Sequence, residues 1–350
     1  MVHWTLIPRA PGPGAAWTVA CVAGAGTLAL ALAAGGADGV GVLRVLSALR
    51  DALDPSRGLG HTLAHGTPLA LAALGAGLAR RAGLWNVGAE GQVQLGAWLG
   101  IAVALGGAAV PSRLAVATLL GGSALGGALI AAAPVLLRTR RGVSEVYSGL
   151  LLNLLALGWL ALWVGGPWAG QTLDARWRLT TVGPGLHLGA LAPWIGAAVL
   201  TWFLRRGLFG YELRVIRSSP AAARYAGLPV EGRQLVAASL AGALTGLAGG
   251  VAICGQPDPL LPSPAVPGAG YLAILAAALA GDQALGAVLV AFGLAALQTA
   301  WGDIAPTRGP DAALLLAGVL GLCVLIGQAV TRLRVVRGLP GAAPRPTDEL

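Results

Sequence analysis

Apolar runs of about twenty residues recur along this chain, and each is long enough to cross a hydrocarbon core of about 30 Å as an α-helix. Ten runs fall at 15–36, 60–79, 84–107, 113–137, 145–165, 191–204, 235–254, 269–281, 284–301 and 312–330, of which the sixth and eighth are short. A membrane β-barrel would instead alternate apolar and polar residues in segments of about ten, and this sequence lacks that alternation. The expected fold is therefore all-α: a polytopic membrane protein of about ten transmembrane helices. Composition agrees, because only 11% of residues are charged where a soluble domain carries charge on about a quarter of its positions. Residues 15–37 form one apolar run after Arg9, too long for the core of a signal peptide, and read as a retained first span.

All 23 basic residues are arginine, and the chain has no lysine. A P-loop ATPase needs the lysine of its phosphate-binding loop and a Schiff-base enzyme needs an amine, so neither chemistry resides here. The net charge of +9 does not require nucleic acid, since arginine-rich loops follow from membrane orientation alone. Placing the N-terminus in the cytoplasm puts 16 of the 23 arginines inside, which implies that both termini are cytoplasmic. The expected organisation is a cytoplasmic N-terminus at 1–14, a transmembrane domain at 15–330 and a cytoplasmic tail at 331–350. The largest inner loop is 205–234. Outside, RVLSALRDAL within 37–59 places Val45, Leu46, Leu49 and Leu53 at helical spacing, as in an amphipathic surface helix. GGSALGG at 121–127 and AGALTGLAGG at 241–250 set Gly122 and Gly126, and Gly242 and Gly246, four apart, which suits close helix packing. Cys21, Cys254 and Cys323 show no metal-ligand spacing and read as small core residues. His61 and His65 share a helix face, but no acid lies near them in sequence, and the four histidines form no catalytic cluster.

Polar residues inside apolar runs need a reason, because an ionised group at mid-bilayer costs about 2.5–3.5 kcal/mol. Glu90, Glu145 and Asp282 are such acids. In GLWNVGAEGQVQLGAWLG, residues 83–100, Gly83, Gly88, Gly91 and Gly96 weaken a continuous helix, so Trp85, Asn86, Glu90 and Gln92 either line a wet cavity at a broken segment or mark the inner end of a span. Glu145 stands close to Arg138, Arg140 and Arg141, as in an edge ion pair, and Asn153 lies about two turns deeper on a nearby face. GQPDPLLPSPAVPGAGY at 255–271 holds five prolines and cannot be one helix. It is either an outer loop or a segment that dips back into the membrane ahead of a short helix.

Within the inner loop, SSPAAARYAG at 218–227 has the punctuation of a two-turn helix: Ser219 at the N-cap, Pro220 at N1 and Gly227 past the end. So short a helix needs a surface to rest on, either the membrane or a soluble protein.

The stretch RRGLFGYELRVIRSSPAAARYAGLPVEGRQLVAASLAGALTGLAGGVAICG, residues 205–255, resembles the coupling-helix region of ABC importer permeases of the simple-sugar and nucleoside branch. GLWNVGAEGQ, SEVYSGLLLNLLA and GAGYLAILAAALAGDQALG agree with it in order and spacing, so that the similarity covers most of residues 60–330. Ser218 and Ser219 stand where that family usually has Gly-Asn. The length and extra first span resemble the longer permease of systems whose receptor is a basic membrane lipoprotein.

The resemblance implies a non-catalytic subunit in the bacterial inner or plasma membrane, with no cofactor or metal. Residues 218–227 would dock on a cytoplasmic ABC ATPase through Arg217, Ser219, Pro220, Ala222, Arg224, Tyr225 and Gly227. It further implies an extracytoplasmic binding lipoprotein and a second permease subunit, unlike rather than identical. The expected substrate pathway comprises Trp85, Asn86, Glu90, Gln92, Asn153 and Tyr271, with Trp85 or Trp159 as a stacking surface for a nucleoside or sugar. The competing class is a proton-coupled carrier that uses Glu90, Glu145 and Asp282 as a relay.

Overall fold

The computed structural model describes residues 3–8, 40–56, 58–107, 109–183, 186–255, 268–281, 283–304, 318 and 333–338. The chain divides into two units, Ser47–Pro310 and the two terminal segments Met1–Leu46 with Asp311–Leu350. The terminal unit contains strand β1 (His3–Pro8) paired antiparallel with β4 (Leu333–Gly338), in a register that sets Trp4 opposite Arg337 and Ile7 opposite Arg334. The expected spans at 15–36 and 312–330 lie outside the described residues.

The larger unit is a helical bundle. Its elements are α1 (Val40–Leu53, shared at its start with the terminal unit), α2 (Leu59–Arg81), α3 (Ala89–Gly106), α4 (Ser112–Arg141) and α5 (Glu145–Gly165). A short hairpin of β2 (Thr181–Gly183) and β3 (Leu186–His187) precedes α6 (Ala192–Arg206). Then follow α7 (Leu208–Ser218), α8 (Pro220–Tyr225), α9 (Val230–Gly255), α10 (Ala269–Leu279) and α11 (Ala284–Ile304). Among the described residues, six segments are long and apolar enough to cross a membrane: α2, α4, α5, Leu188–Arg206, α9 and most of α11. Helix α3, whose first turns read AEGQVQ, and the eleven-residue α10 complete the bundle.

Helix ends follow local chemistry. After α2, Gly83 adopts φ +72°; its N–H donates to the Arg80 carbonyl at 3.1 Å and that of Leu84 to Ala79 at 3.1 Å, the paired bonds of a Schellman stop. Gly142 closes α4 in the same left-handed region. The third span accordingly begins at Ala89 rather than at 84, because residues 83–88 form a turn.

Helices α2 and α9 are the most enclosed, whereas α5 and α6 expose apolar faces to their surroundings. Glycine makes the centre possible. A Cβ on Gly246 would stand 2.2 Å from the Ser123 carbonyl oxygen, and one on Gly127 the same distance from that of Gly242. Gly126 and Gly122 turn the other way, onto Leu95 and Val103 of α3. Helix α4 thus packs on two neighbours, with Ser123 and Gly127 facing α9 and Gly122 and Gly126 facing α3.

Helix α1 forms where expected. Ala48 and Ala52 pack against Ala300 with Leu49 partly buried beside them, whereas Leu46 and Leu53 are exposed. Cys254 is a buried thiol in an apolar cluster with Ala97, Ile101 and Leu160; Cys21 and Cys323 lie outside the described residues. His187, in the connection after α5, is buried, and loss of hydration holds its imidazole below the usual histidine pKa.

Candidate substrate pathway and coupling helix

Arginines gather at one end of the bundle: Arg80 and Arg81 close α2, Arg138, Arg140 and Arg141 close α4, and Arg205 and Arg206 close α6. The turn 83–88 lies at this end, between α2 and α3. Its polar side chains are satisfied by one another. Asn86 and Gln92 exchange two amide hydrogen bonds, at 2.9 and 2.5 Å. Asn153 reaches across from α5: its Oδ1 accepts the Gly91 N–H at 2.7 Å, and its Nδ2 donates to the Val87 carbonyl at 2.9 Å and to the Tyr271 hydroxyl at 3.4 Å. Close approach of α5 is eased by Gly149, since a Cβ there would lie 3.0 Å from the Gly88 nitrogen.

Glu90 belongs to the same cluster but faces α10. Its carboxylate accepts the backbone N–H of Gly268 at 3.2 Å, that of Gly270 at 2.8 Å, and the Gln94 side-chain amide at 3.0 Å. Both Glu90 and Gln94 are buried. The first N–H groups of a helix have no partner within it, and a carboxylate there also meets the positive end of the helix dipole. Glu90 therefore caps α10 from a neighbouring helix. Gly268, at φ +71°, turns the chain into α10, and a Cβ on Gly270 would lie 2.2 Å from the Glu90 nitrogen. Helix α9 ends against residues 97–104 of α3, whereas α10 starts beside Glu90, at the opposite end of α3. Residues 256–267 lie outside the described residues.

A glutamine at position 90 would keep one acceptor oxygen and turn an NH2 towards a backbone donor. Hydrogen bonds to charged groups contribute about 1.5–3 kcal/mol. Glu90→Gln is expected to lower the unfolding midpoint of the purified protein and to reduce the maximal rate of uptake while the half-saturating concentration holds; an altered half-saturation with unchanged stability would instead place the side chain on the solute.

Trp85 is exposed beside this cluster, and its backbone N–H donates to Glu145 Oε1 at 3.1 Å. The expected edge ion pair of Glu145 exists, with Arg138. Trp159 lies elsewhere, in an aromatic group with Trp98 (ring centroids 5.7 Å apart) and Trp163 (6.1 Å). The two candidate stacking surfaces thus lie apart, Trp85 ahead of the first turn of α3 and Trp159 against its midpoint. Tyr271 and Trp85 are the exposed aromatic members of the polar cluster.

The connection between α6 and α9 contains two helices, α7 and α8. Ser219 Oγ accepts the Ala222 N–H at 3.2 Å, and after α8 the N–H of Gly227 donates to Arg224 and that of Leu228 to Ala223, at 2.9 and 3.0 Å. One side of the hexapeptide rests on its own chain: Ala223 is buried against Ile216 and Val230. Its other side is open. Pro220, Ala222 and Arg224 are exposed, Arg217 is exposed on the last turn of α7, and Tyr225 is 97% exposed. Arg224 is held by Glu231, its Nε and Nη2 donating to Oε1 at 3.0 and 2.7 Å.

Sequence reasoning missed α7, Glu212, Arg233 and Gln234. The available signal for α7 was the spacing of Leu213 and Ile216 in LFGYELRVIRS, which buries one side of an amphipathic helix.

Comparison with known proteins adds to this geometry. Residues 58–325 match the family described as branched-chain amino acid transport system permease component. A guanosine ABC transporter permease of Bacillus subtilis is 29% identical over 264 residues, covering 69% of this chain and 72% of its own length. A glucose ABC transporter permease of Haloferax volcanii is 29% identical over 340 residues, 91% and 87% of the two chains. A nucleoside ABC transporter permease of Lactococcus lactis is 25% identical over 266 residues, 71% and 73%. The family match takes in every helix from α2 to α11, together with the polar turn, the α10 cap and the exposed loop helix, so the chain belongs to this family of transport-system permease components and is an integral membrane permease of the ABC type.

Proposed function

We propose that this permease is the longer membrane subunit of an ATP-driven importer for nucleosides or simple sugars, fed by an extracytoplasmic binding lipoprotein and paired with an unlike second permease. The observation that carries the proposal is α8: a capped helix fastened to its own protein on one side and presenting Arg217, Ala222, Arg224 and Tyr225 on the other. Tyrosine and arginine are the residues on which protein interfaces concentrate their binding energy. A separate ATPase docked there would supply the energy, since the chain lacks the lysine of a nucleotide-binding loop.

Ten spans with both termini cytoplasmic fit this role. Antiparallel pairing of β1 with β4 supports termini on one side and hence an even number of crossings, and the excess of arginine in the loops that this orientation puts inside supports the cytoplasm as that side. Trp85, Asn86, Gln92, Asn153 and Tyr271 form the wall that contacts solute, with amides and a hydroxyl for sugar hydroxyls or base edges and an indole for stacking. Glu90 serves the same wall from behind, by holding α10. A proton relay is less well supported: Glu90 is engaged by backbone amides and Glu145 by Arg138, and Asp282 lies outside the described residues.

Energised vesicles containing the assembled transporter are the test, with radiolabelled guanosine, glucose and leucine as separate probes. Uptake of guanosine or glucose that needs ATP and survives a protonophore is expected. Saturable leucine uptake alone, or collapse with the proton gradient, would refute the reading.

A further inference from the structure

We propose that Arg233 and Gln234, consecutive residues in the first turn of α9, are positioning residues that deliver movement of α8 to the turn bearing Trp85 and Asn86. This rests on the reading of α8 as the helix that docks the ATPase.

Two side chains about 100° apart on one helix turn face different neighbours. Arg233 faces α7: its Nε lies 2.7 Å from Glu212 Oε2, and its Nη2 donates to Glu212 Oε1 at 2.9 Å, with Glu212 buried. The charge-assisted Nη2 hydrogen bond within this ion pair ties the start of α9 to α7. Helix α7 is tied in turn to α6, because Arg214 donates to the Leu204 carbonyl at 2.9 Å and a Cβ on Gly210 would lie 2.0 Å from that oxygen. Helix α8 is seated on α7 and α9 together, through Ala223 against Ile216 and Val230. A push on α8 therefore reaches α7 and the start of α9 as one body.

Gln234 faces the other way and is buried. Its Nε2 donates to the carbonyl of Ala82, where α2 gives way to the turn, at 3.0 Å, and its Oε1 accepts Arg138 Nη2 at 2.5 Å. Arg138 also pairs with Glu145, whose remaining oxygen accepts the Trp85 N–H. The same turn touches the end of α7 directly: a Cβ on Gly83 would stand 3.8 Å from Arg217 Cα and 4.0 Å from Gln234 Nε2. Moving α9 without the turn would strand a buried amide, a carbonyl and a guanidinium, whereas moving them together breaks nothing. Cooperative displacement is the cheaper motion, and it ends at Trp85 and Asn86, where Asn86 meets Gln92.

The experiment uses the assembled transporter in lipid vesicles with cysteine at position 85 (Trp85→Cys), and follows maleimide labelling of that residue by mass spectrometry with and without ATP and vanadate. Nucleotide should change the labelling rate in the parent. Gln234→Ala should cut that change at least tenfold while ATPase co-purification and the basal hydrolysis rate stay within twofold, a split that general misfolding would not produce. Glu212→Arg should also lose the response, and the swap Glu212→Arg with Arg233→Glu should recover at least half of it; this pair decides the matter if Gln234→Ala does not reach the membrane. An undiminished response in Gln234→Ala, or a swap no better than the single reversal, overturns the proposal. A parent that still binds the ATPase and answers nucleotide after Arg224 and Tyr225 are both replaced by alanine overturns the docking reading instead.

Discussion

Replacing Arg224 and Tyr225 together by alanine should leave a permease that inserts and folds normally but neither retains its ATPase through purification nor supports uptake. The side chains lie on the open side of α8, and Tyr225 is 97% exposed, so their removal disturbs no core. Truncation of a docked tyrosine or arginine costs about 2 kcal/mol, or about thirtyfold in affinity; the two together are expected to reduce ATPase binding by roughly a thousandfold if they act independently. Pull-down of the ATPase and vesicle uptake measure this directly. Loss of the Arg224–Glu231 pair should matter little for stability, because exposed ion pairs contribute about 0–1 kcal/mol. Ala223→Leu is the instructive companion: it overfills the seat on Ile216 and Val230 and should weaken coupling from beneath, with the docking side chains intact.

Gly246→Leu should abolish the folded protein. Its Cβ would sit 2.2 Å from the Ser123 carbonyl oxygen and 2.8 Å from Gly127 Cα, both backbone atoms of α4 that cannot rotate aside. Relief requires separation of α4 from α9, which also opens their glycine contacts to α3. Overpacking of ordinary cores costs about 1–3 kcal/mol; a backbone-to-backbone seam should exceed that, against a net stability of about 5–15 kcal/mol for a typical protein. Size-exclusion profiles and unfolding midpoints in detergent are the measurements. Gly158→Leu, on α5 where no atom lies within 4 Å of a built Cβ, should behave as the parent. A monodisperse Gly246→Leu protein with the parent's midpoint would show that the seam is not what holds the bundle.

Much of this architecture was legible from local chemistry. The boundaries of α2, α4, α5 and α9 follow from apolar runs closed by arginine and glycine, and α8 could be read residue by residue because capping depends on neighbours within four positions. The edge pairing of Glu145 was legible for the same reason, since its partner Arg138 is only seven residues away. Long-range polar contacts were not. Glu90 meets Gly268 and Gly270 across about 180 residues, and Gln234 meets Ala82 across 152. No periodicity announces such a partner, and an acid in a glycine-rich turn looks the same whether it meets solute, water or a helix end.

Hydrophobicity and helix punctuation determine from the sequence alone that the chain spans the membrane and carries a short capped helix at 220–225, because these properties act through solvent transfer and nearest-neighbour geometry. Which glycines meet, which face of α1 is buried and what the carboxylate of Glu90 touches were decided only by tertiary packing. The physical reason is that lipid provides no hydrogen-bond partners: each buried polar group must find its partner on another helix, and that choice is made by the assembled bundle rather than by any single segment.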